Sequence, residues 1–108
     1  MDRTILEQRT KLFHIEAIKL CNDFPQTTVG FETAKQLIRS AGLVGANYRA
    51  TKRAKSTNDF INKLKIIIEE ADESHYWLEI VDEAAILKSD KVKTLIKEGN
   101  ELTAIFVA

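Results

Sequence analysis

Side chains capable of metal or nucleophilic chemistry are few and isolated in this 108-residue chain. Asp72-x-x-His75 has the spacing that places two ligands on one helical face, but a di-metal centre in a helical bundle needs a second such pair, which is missing. The residue three before His14 is Lys11, which is not a metal ligand. The single cysteine, Cys21, excludes an internal disulfide framework and a cysteine-rich zinc site, and a buried packing role is favoured for it. We therefore predict no enzymatic activity and no catalytic residue, metal or cofactor.

Charge is strongly segregated, although 16 basic and 16 acidic residues give a formal net charge of zero. Residues 35–65 contain eight basic residues and one acidic residue, a charge of +7, whereas residues 66–90 contain eight acidic residues and one basic residue, a charge of −7. At 100° per residue, four of the basic residues fall within a stripe about 80° wide on the second predicted helix. These residues are Lys35, Arg39, Arg49 and Arg53.

The basic segment allows two interpretations. In the first, phosphates of RNA or DNA are contacted by Arg49, Lys52, Arg53 and Lys55, although no interleaved aromatic residues support base stacking. In the second, arginines of helix two pair with carboxylates of an antiparallel helix three, because the planar guanidinium matches a carboxylate. Both can hold, with Arg39 paired and the two lysines exposed. The candidate partners are Asp59, Glu70 and Glu73.

Composition favours a few long helices that position these side chains. Four glycines and one proline are too few for the turns of a β-sandwich, and 44% hydrophobic with 30% charged residues is typical of a globular domain. Helical periodicity predicts one domain over residues 1–108, with helices over approximately 4–22, 31–55, 57–87 and 90–107 and one clear loop at 25–30. Helix starts are indicated by Asp2, by a variant capping box at Ser56-Thr57-Asn58-Asp59, and by Ser89 or Asp90.

Two helices carry further packing signals. On helix one, Ile5, Leu12, Ile15 and Leu20 recur at helical spacing and are taken as its apolar pattern. Gly42 and Gly45 are unusual inside helix two, where each costs about 1 kcal/mol relative to alanine. They indicate either close approach of a neighbouring helix or a local kink, and nearby alanines favour close approach.

The third helix has two apolar stripes. Its first stripe has heptad spacing, which favours an up-down antiparallel four-helix bundle. The second includes Ile66, Trp77 and Ile80, and solvent-facing stripes seldom carry such residues. We therefore expect contacts between subunits of a cyclic homo-oligomer, which would also cover the apolar end at 105–107. The candidate residues for this interface or for structural ion pairs are Arg39, Asp59, Ile66, Glu70, Glu73, Trp77 and Ile80.

Membrane association is not indicated. The longest aliphatic run, 66–68, is far too short for a transmembrane helix, and the first residues show no signal-peptide pattern. With a single cysteine, this predicts a cytoplasmic protein.

Three motifs lie on the second and third predicted helices: Ala46-Asn47-Tyr48-Arg49, Ser56-x-x-Asp59-Phe60 and Glu70-x-x-Glu73-x-x-x-Trp77. With these motifs, nearly the whole chain resembles the four-helix-bundle proteins encoded in intervening sequences of bacterial 23S ribosomal RNA genes. The accessory variability determinant of diversity-generating retroelements is more distantly similar. The resemblance implies a bacterial protein that forms a ring-shaped homopentamer, has neither enzymatic activity nor a cofactor, and has a suspected role in RNA or nucleoprotein binding.

These observations predict a non-enzymatic oligomeric binding or assembly module whose basic segment binds RNA or DNA. The alternative is a protein-interaction scaffold without a nucleic-acid ligand, with its charges paired within and between subunits. No small-molecule substrate is evident from the sequence.

Overall fold

The computed structural model describes residues 1–108 as four helices without a strand. Helix α1 spans Arg3–Cys21, α2 spans Thr28–Ala50, α3 spans Thr57–Glu83 and α4 spans Asp90–Val107, and a short 3-10 turn, Thr51–Arg53, follows α2. Each helix packs against the next in sequence, and α4 returns to pack against α1. The predicted all-α fold is confirmed, and short connections arrange the helices up and down as a four-helix bundle.

The core runs along the bundle axis and receives side chains from all four helices. Among its largest fully buried side chains are Leu37, Ile67, Leu78 and Leu102. On α1 the buried face differs from the predicted one: Leu6, Phe13, Ala17 and Leu20 are buried, whereas Ile5, Leu12 and Ile15 are exposed. Helix α1 is thus apolar on two sides, and periodicity alone could not indicate which side faces the core.

Side-chain caps define three of the helix starts as the sequence predicted. The Asp2 carboxylate accepts from the N–H of Ile5 at 2.9 Å, and the hydroxyl of Ser89 accepts from the N–H of Lys91 at 3.2 Å. At the start of α3, the Ser56 hydroxyl accepts from the N–H of Asp59 at 3.0 Å. The Asp59 carboxylate in turn accepts from the N–H of Lys55 at 2.9 Å, one residue earlier than in the usual capping box.

Helix α2 begins at Thr28 rather than at residue 31, so the predicted loop is too long. The Thr27 hydroxyl accepts from the N–H of Gly30 at 3.0 Å and caps the helix. Gly30 lies in the first turn of α2, where the Cβ of any other residue would clash with the carbonyl oxygen of Pro25. This glycine therefore permits close approach of the chain and does not end the loop.

Helix α2 also ends earlier than predicted, at Ala50 instead of residue 55. The carbonyl oxygen of Tyr48 accepts from the Thr51 hydroxyl at 2.6 Å and from the Arg3 guanidinium at 3.3 Å. These side-chain donors compete for a carbonyl that the continuing helix would use. The chain tightens into the 3-10 turn at this point.

Helix α3 ends at Glu83, although the apolar pattern predicted residue 87. Ala85 adopts a left-handed conformation with φ 55°, and the N–H of Ile86 donates to the carbonyl oxygen of Val81 at 3.0 Å. This is the Schellman arrangement that normally places glycine at the left-handed position. Because alanine occupies that position, the helix end could not be predicted from a glycine signal.

The close approach predicted at the two mid-helix glycines is confirmed. A Cβ on Gly45 would lie 3.2 Å from the carbonyl oxygen of Thr10, and one on Gly42 would lie 2.9 Å from Nε2 of His14. Helices α1 and α2 therefore pack almost backbone to backbone at this level. None of the four helices combines the length and apolar character needed to cross a membrane.

Candidate functional site

The four candidate phosphate-binding residues lie at one end of the bundle, where α2 gives way to α3. Arg49 is in the last turn of α2, Lys52 and Arg53 are in the 3-10 turn, and Lys55 precedes α3. All four are exposed. Because α2 ends at Ala50, Arg53 is not part of the helical stripe that the sequence predicted, and the basic residues follow a turn instead.

This turn is held in place by α1. The Arg3 guanidinium donates to the Thr51 hydroxyl at 2.6 Å, and its central carbon lies 4.9 Å from the centre of the Tyr48 ring. The Tyr48 ring also packs against Phe106 of α4, with 5.5 Å between ring centres. The buried Thr51 and the stacked Arg3 thereby fix the backbone on which the basic residues are displayed.

Two of the basic residues share one carboxylate on α1. The Nζ of Lys52 lies 2.9 Å from Oε2 of Glu7, and the Nε of Arg49 lies 3.9 Å from its Oε1. The hydrogen bond from Lys52 lowers the pKa of Glu7 despite partial desolvation. The sequence-based interpretation placed the counter-ions on helix three and missed Glu7. No local pattern links a residue to one more than forty positions later in the chain.

The other two basic residues have no carboxylate within ion-pair distance. The side chains of Arg53 and Lys55 are exposed and form no salt bridge, while the backbone N–H of Lys55 serves the α3 cap. Asp59, proposed as a partner for an arginine of helix two, instead lies 2.7 Å from Nζ of Lys63. Its pKa is lowered mainly by that hydrogen bond and then by the Lys55 N–H. Because the Asp59 carboxylate binds Lys63 and caps α3, the side chains of Arg53 and Lys55 leave the turn electropositive.

The predicted pairing between helices two and three is present at Arg39. Its guanidinium contacts Glu73 and lies 3.5 Å from Oε2 of Glu70. Burial nevertheless raises the pKa of Glu70, because the attraction of Arg39 only partly offsets desolvation. The structural interpretation therefore describes Arg39, while Lys52 pairs with a different helix and Arg53 is unpaired.

The second apolar stripe of α3 is only partly covered. Ile66 is 40% exposed, whereas Ile80 and Trp77 are half-buried, and Trp77 packs against the core. The Trp77 ring meets the exposed Tyr76 ring edge to face at 5.1 Å, and its indole N–H is buried without an acceptor. At the end of α4, Phe106 is buried and Val107 is 60% exposed.

The residues considered for metal or nucleophilic chemistry are dispersed. Nε2 of His75 lies 3.2 Å from a carboxylate oxygen of Glu79, while Asp72 is exposed. No group of three or more potential metal ligands comes together in the structure. Burial raises the pKa of Cys21 to about 12, which suppresses its thiolate and fits the predicted packing role. His14 faces Gly42 across the contact between α1 and α2.

Comparison with known proteins places this geometry in a family. The family model for the 23S rRNA-intervening sequence protein matches residues 3–108, which is nearly the whole chain. The chain belongs to this family. Its fold closely resembles the crystal structure of a protein of unknown function from the S23 ribosomal protein family of Bacteroides thetaiotaomicron. The TM-score is 0.89 at 27% identity, covering 99% of this chain and 96% of that one.

Membership of the 23S rRNA-intervening sequence family confirms the resemblance that the motifs suggested. No functionally curated protein matches the chain. Neither the family description nor the solved relative indicates an enzymatic activity.

Proposed function

We propose that this protein is a non-enzymatic homo-oligomeric module that binds RNA or DNA through Arg49, Lys52, Arg53 and Lys55. The observation that carries the proposal is the exposed, unpaired state of Arg53 and Lys55 beside Lys52 and Arg49. Glu7 neutralises only part of this charge. Exposed cations on an anchored turn suit the phosphate backbone, because phosphate contacts need charge and position but no base recognition.

The family description adds a context for such a ligand. It names an intervening sequence of 23S rRNA, and a basic surface on a family member is consistent with a nucleic-acid partner. The neutral total charge gives no general attraction to polyanions, so binding would depend on local basic surfaces such as this one.

Two uncovered apolar surfaces on different helices support the proposal of oligomerisation. On α1, the side opposite the core carries Ile5, Leu12, Ile15 and Ile18. On α3, Ile66 is exposed beside half-buried Ile80. Contact between two unlike surfaces is heterologous, and such contacts close into rings when the rotation permits. We propose a cyclic assembly, with five subunits as the number that the family resemblance implies.

A ring would multiply a weak interaction. Each subunit contributes the same basic turn, and binding of one turn raises the effective concentration of the others near the same strand. Contacts that are individually weak can therefore give useful affinity for a long nucleic acid but little for a short one.

The test is to replace Lys52, Arg53 and Lys55 together with alanine and measure binding of single-stranded RNA and duplex DNA by fluorescence anisotropy over a range of salt concentrations. We expect weaker binding for all sequences and a salt slope flattened by about 0.9 per lost contact on the duplex and about 0.7 on the single strand. The matched control replaces three exposed α4 lysines that form no salt bridge: Lys91, Lys93 and Lys97. This control removes the same charge and should retain the wild-type slope.

A second candidate function is the protein-interaction scaffold, which the inter-helix ion pairs of Arg39 and Arg9 favour. Arg9 on α1 contacts both Glu98 and Glu101 of α4, so many of the charges already serve the fold. Equal loss of nucleic-acid binding in both triple variants, or no binding by the wild type even at low salt, would support the scaffold over the nucleic-acid module.

The assembly has its own test. Light scattering on the purified chain should give a mass several times that of one subunit, and Leu12→Glu should lower that mass by placing a charge on the exposed apolar side of α1. Lys97→Glu, on exposed α4 surface, is the control and should leave the mass unchanged. A wild-type monomer at micromolar concentration would contradict the ring.

A further inference from the structure

A cleft of ≈ 570 Å³ opens between α1 and α2, next to the basic turn. On the α2 side it is lined by Gly42, Gly45 and Ala46, which contribute no side chain or only a methyl group. The two glycines therefore contact α1 closely and also contribute backbone to the wall of the cleft. The volume lies within the range of about 300–1,000 Å³ that is typical of small-molecule sites.

The cleft is electropositive. Lys11, Arg49 and Lys52 line it together with a single carboxylate, Glu7, and these four side chains sum to a formal charge of +2. Lys11 is exposed and has no carboxylate partner. The pairing of Lys52 and Arg49 with Glu7 brings both cations toward one point, at 2.9 Å and 3.9 Å from the same carboxylate.

The remaining lining suits a polar ligand. Thr4, Gln8 and His14 offer hydrogen-bonding groups, and Ala46 is the one hydrophobic residue. An anion with further polar groups would find both cations and hydrogen-bonding side chains, and the guanidinium of Arg49 matches phosphate geometry.

We propose that this cleft binds a phosphorylated compound of nucleotide size, with its phosphate between Lys11, Arg49 and Lys52. The inference shares Arg49 and Lys52 with the proposed nucleic-acid interface but adds Lys11, His14 and the space above Ala46. The phosphate can belong to a free nucleotide or to a nucleotide unit of a bound strand.

Calorimetric titration with AMP tests the proposal, with adenosine and inorganic phosphate as parallel probes. AMP should bind more tightly than either. Lys11→Ala should weaken AMP binding about tenfold through loss of one charge-assisted contact. Ala46→Phe should abolish it by filling the cleft without changing charge. Both positions are exposed, so both variants should fold, and Lys93→Ala is the matched control that should bind as the wild type does.

The result that overturns the inference is AMP binding that is absent at millimolar concentration, no tighter than phosphate, or unaffected by Ala46→Phe. Competition identifies the source of the phosphate. Displacement of bound RNA by AMP assigns the cleft to a nucleotide of the strand, and AMP binding without displacement assigns it to a free nucleotide. RNA binding that depends on Arg53 and Lys55 in a chain that does not bind AMP would remove this inference and leave the proposed function standing.

Discussion

The hydroxyl of Ser74 on α3 lies 3.0 Å from the hydroxyl of Ser40 on α2 and donates to it, and both side chains are fully buried. Ser40 in turn donates to the carbonyl oxygen of Leu37 at 3.2 Å, and the carbonyl oxygen of Glu70 lies 2.8 Å from the Ser74 hydroxyl. Two small polar side chains thus satisfy one another at a level where the helices pack tightly.

Ser74→Ala should destabilise the fold by about 1 kcal/mol, because it leaves the buried Ser40 oxygen without its donor. Ser40→Ala should cost a similar amount. The double replacement should cost less than the sum, since removing both polar partners from an apolar site leaves nothing unsatisfied. Urea unfolding of the four proteins measures this coupling, and strictly additive losses would mean that the two hydroxyls act independently.

The two mid-helix glycines should respond differently to alanine. Gly42→Ala meets only the imidazole of His14, a side chain that can turn toward the cleft, so the helix propensity gain of up to about 1 kcal/mol should be realised. Gly45→Ala meets the backbone of Thr10, which moves only if α1 moves, and should lower stability. Thermal unfolding gives the melting temperatures of the two variants. Equal shifts in melting temperature would contradict a rigid backbone contact at Gly45.

Ala85→Gly should stabilise the protein by about 1 kcal/mol. A non-glycine residue at φ 55° pays a steric penalty that glycine avoids, and the surrounding Schellman hydrogen bonds already require this conformation. Ala84→Gly is the matched control, because Ala84 has φ −84° and gains nothing from glycine. Chemical denaturation measures the free energy of unfolding of both variants. Stabilisation by Ala84→Gly alone would contradict the prediction.

Trp77→Ala should cost about 2–3 kcal/mol, less than the about 3–5 kcal/mol for a fully buried aromatic, because the ring is only half-buried. If the stripe with Ile66 is a subunit boundary, the mass from light scattering should fall as well. Asn62→Ala, at an exposed position of the same helix, is the control and should change neither quantity appreciably. Unchanged mass with lowered stability would confine Trp77 to packing within the subunit.

Glu7 and Glu70 should give opposite pH dependences when each is replaced with glutamine. The pKa of Glu7 lies below its ordinary 4.5, so its ionised form stabilises the fold above that pH and the contribution is lost as pH falls through the lowered value. The pKa of Glu70 lies above 4.5, so its favourable contribution exists at low pH and is lost as pH rises through the raised value.

At neutral pH, Glu7→Gln should therefore be less stable than the wild type and Glu70→Gln more stable. Both differences should vanish in acid, where the two glutamates are protonated. Denaturant midpoints of the wild type and both variants, measured from acid to neutral pH, show whether each replacement raises or lowers stability. A loss of stability at neutral pH in Glu70→Gln would show that its pairing with Arg39 outweighs desolvation.

Apart from the pairing of Arg39 with Glu70 and Glu73, the sequence predicted what depends on local chemistry and missed what depends on contacts between distant residues. Ser56, Asp59 and the mid-helix glycines carried their signals within one or two helical turns, and the structure agrees with them. The early end of α2 depends on Arg3 binding Tyr48 and Thr51. Glu7, the partner of Lys52, likewise lies far from it in the sequence, on α1. A side chain that finds its partner across the bundle leaves no periodic trace in the sequence.

At the candidate site, the basic residues were predicted, but the backbone conformation that displays them was not. The predicted helix two ran to residue 55 and so included Lys52 and Arg53, yet these residues lie in a turn that presents them to solvent at the end of the bundle. The cleft was not predicted for a related reason, because it forms between residues of α1 and α2 that lie far apart in the sequence.

The contacts of Tyr48 with Arg3 and with Phe106 have a practical consequence for handling the protein. Both ends of the described chain lie at the same end of the bundle as the basic turn. A purification tag fused at either end would crowd Lys52 and Lys55 and, if charged, would compete for the same ligands. An epitope inserted in the connection between α3 and α4, at the opposite pole, would leave that surface clear.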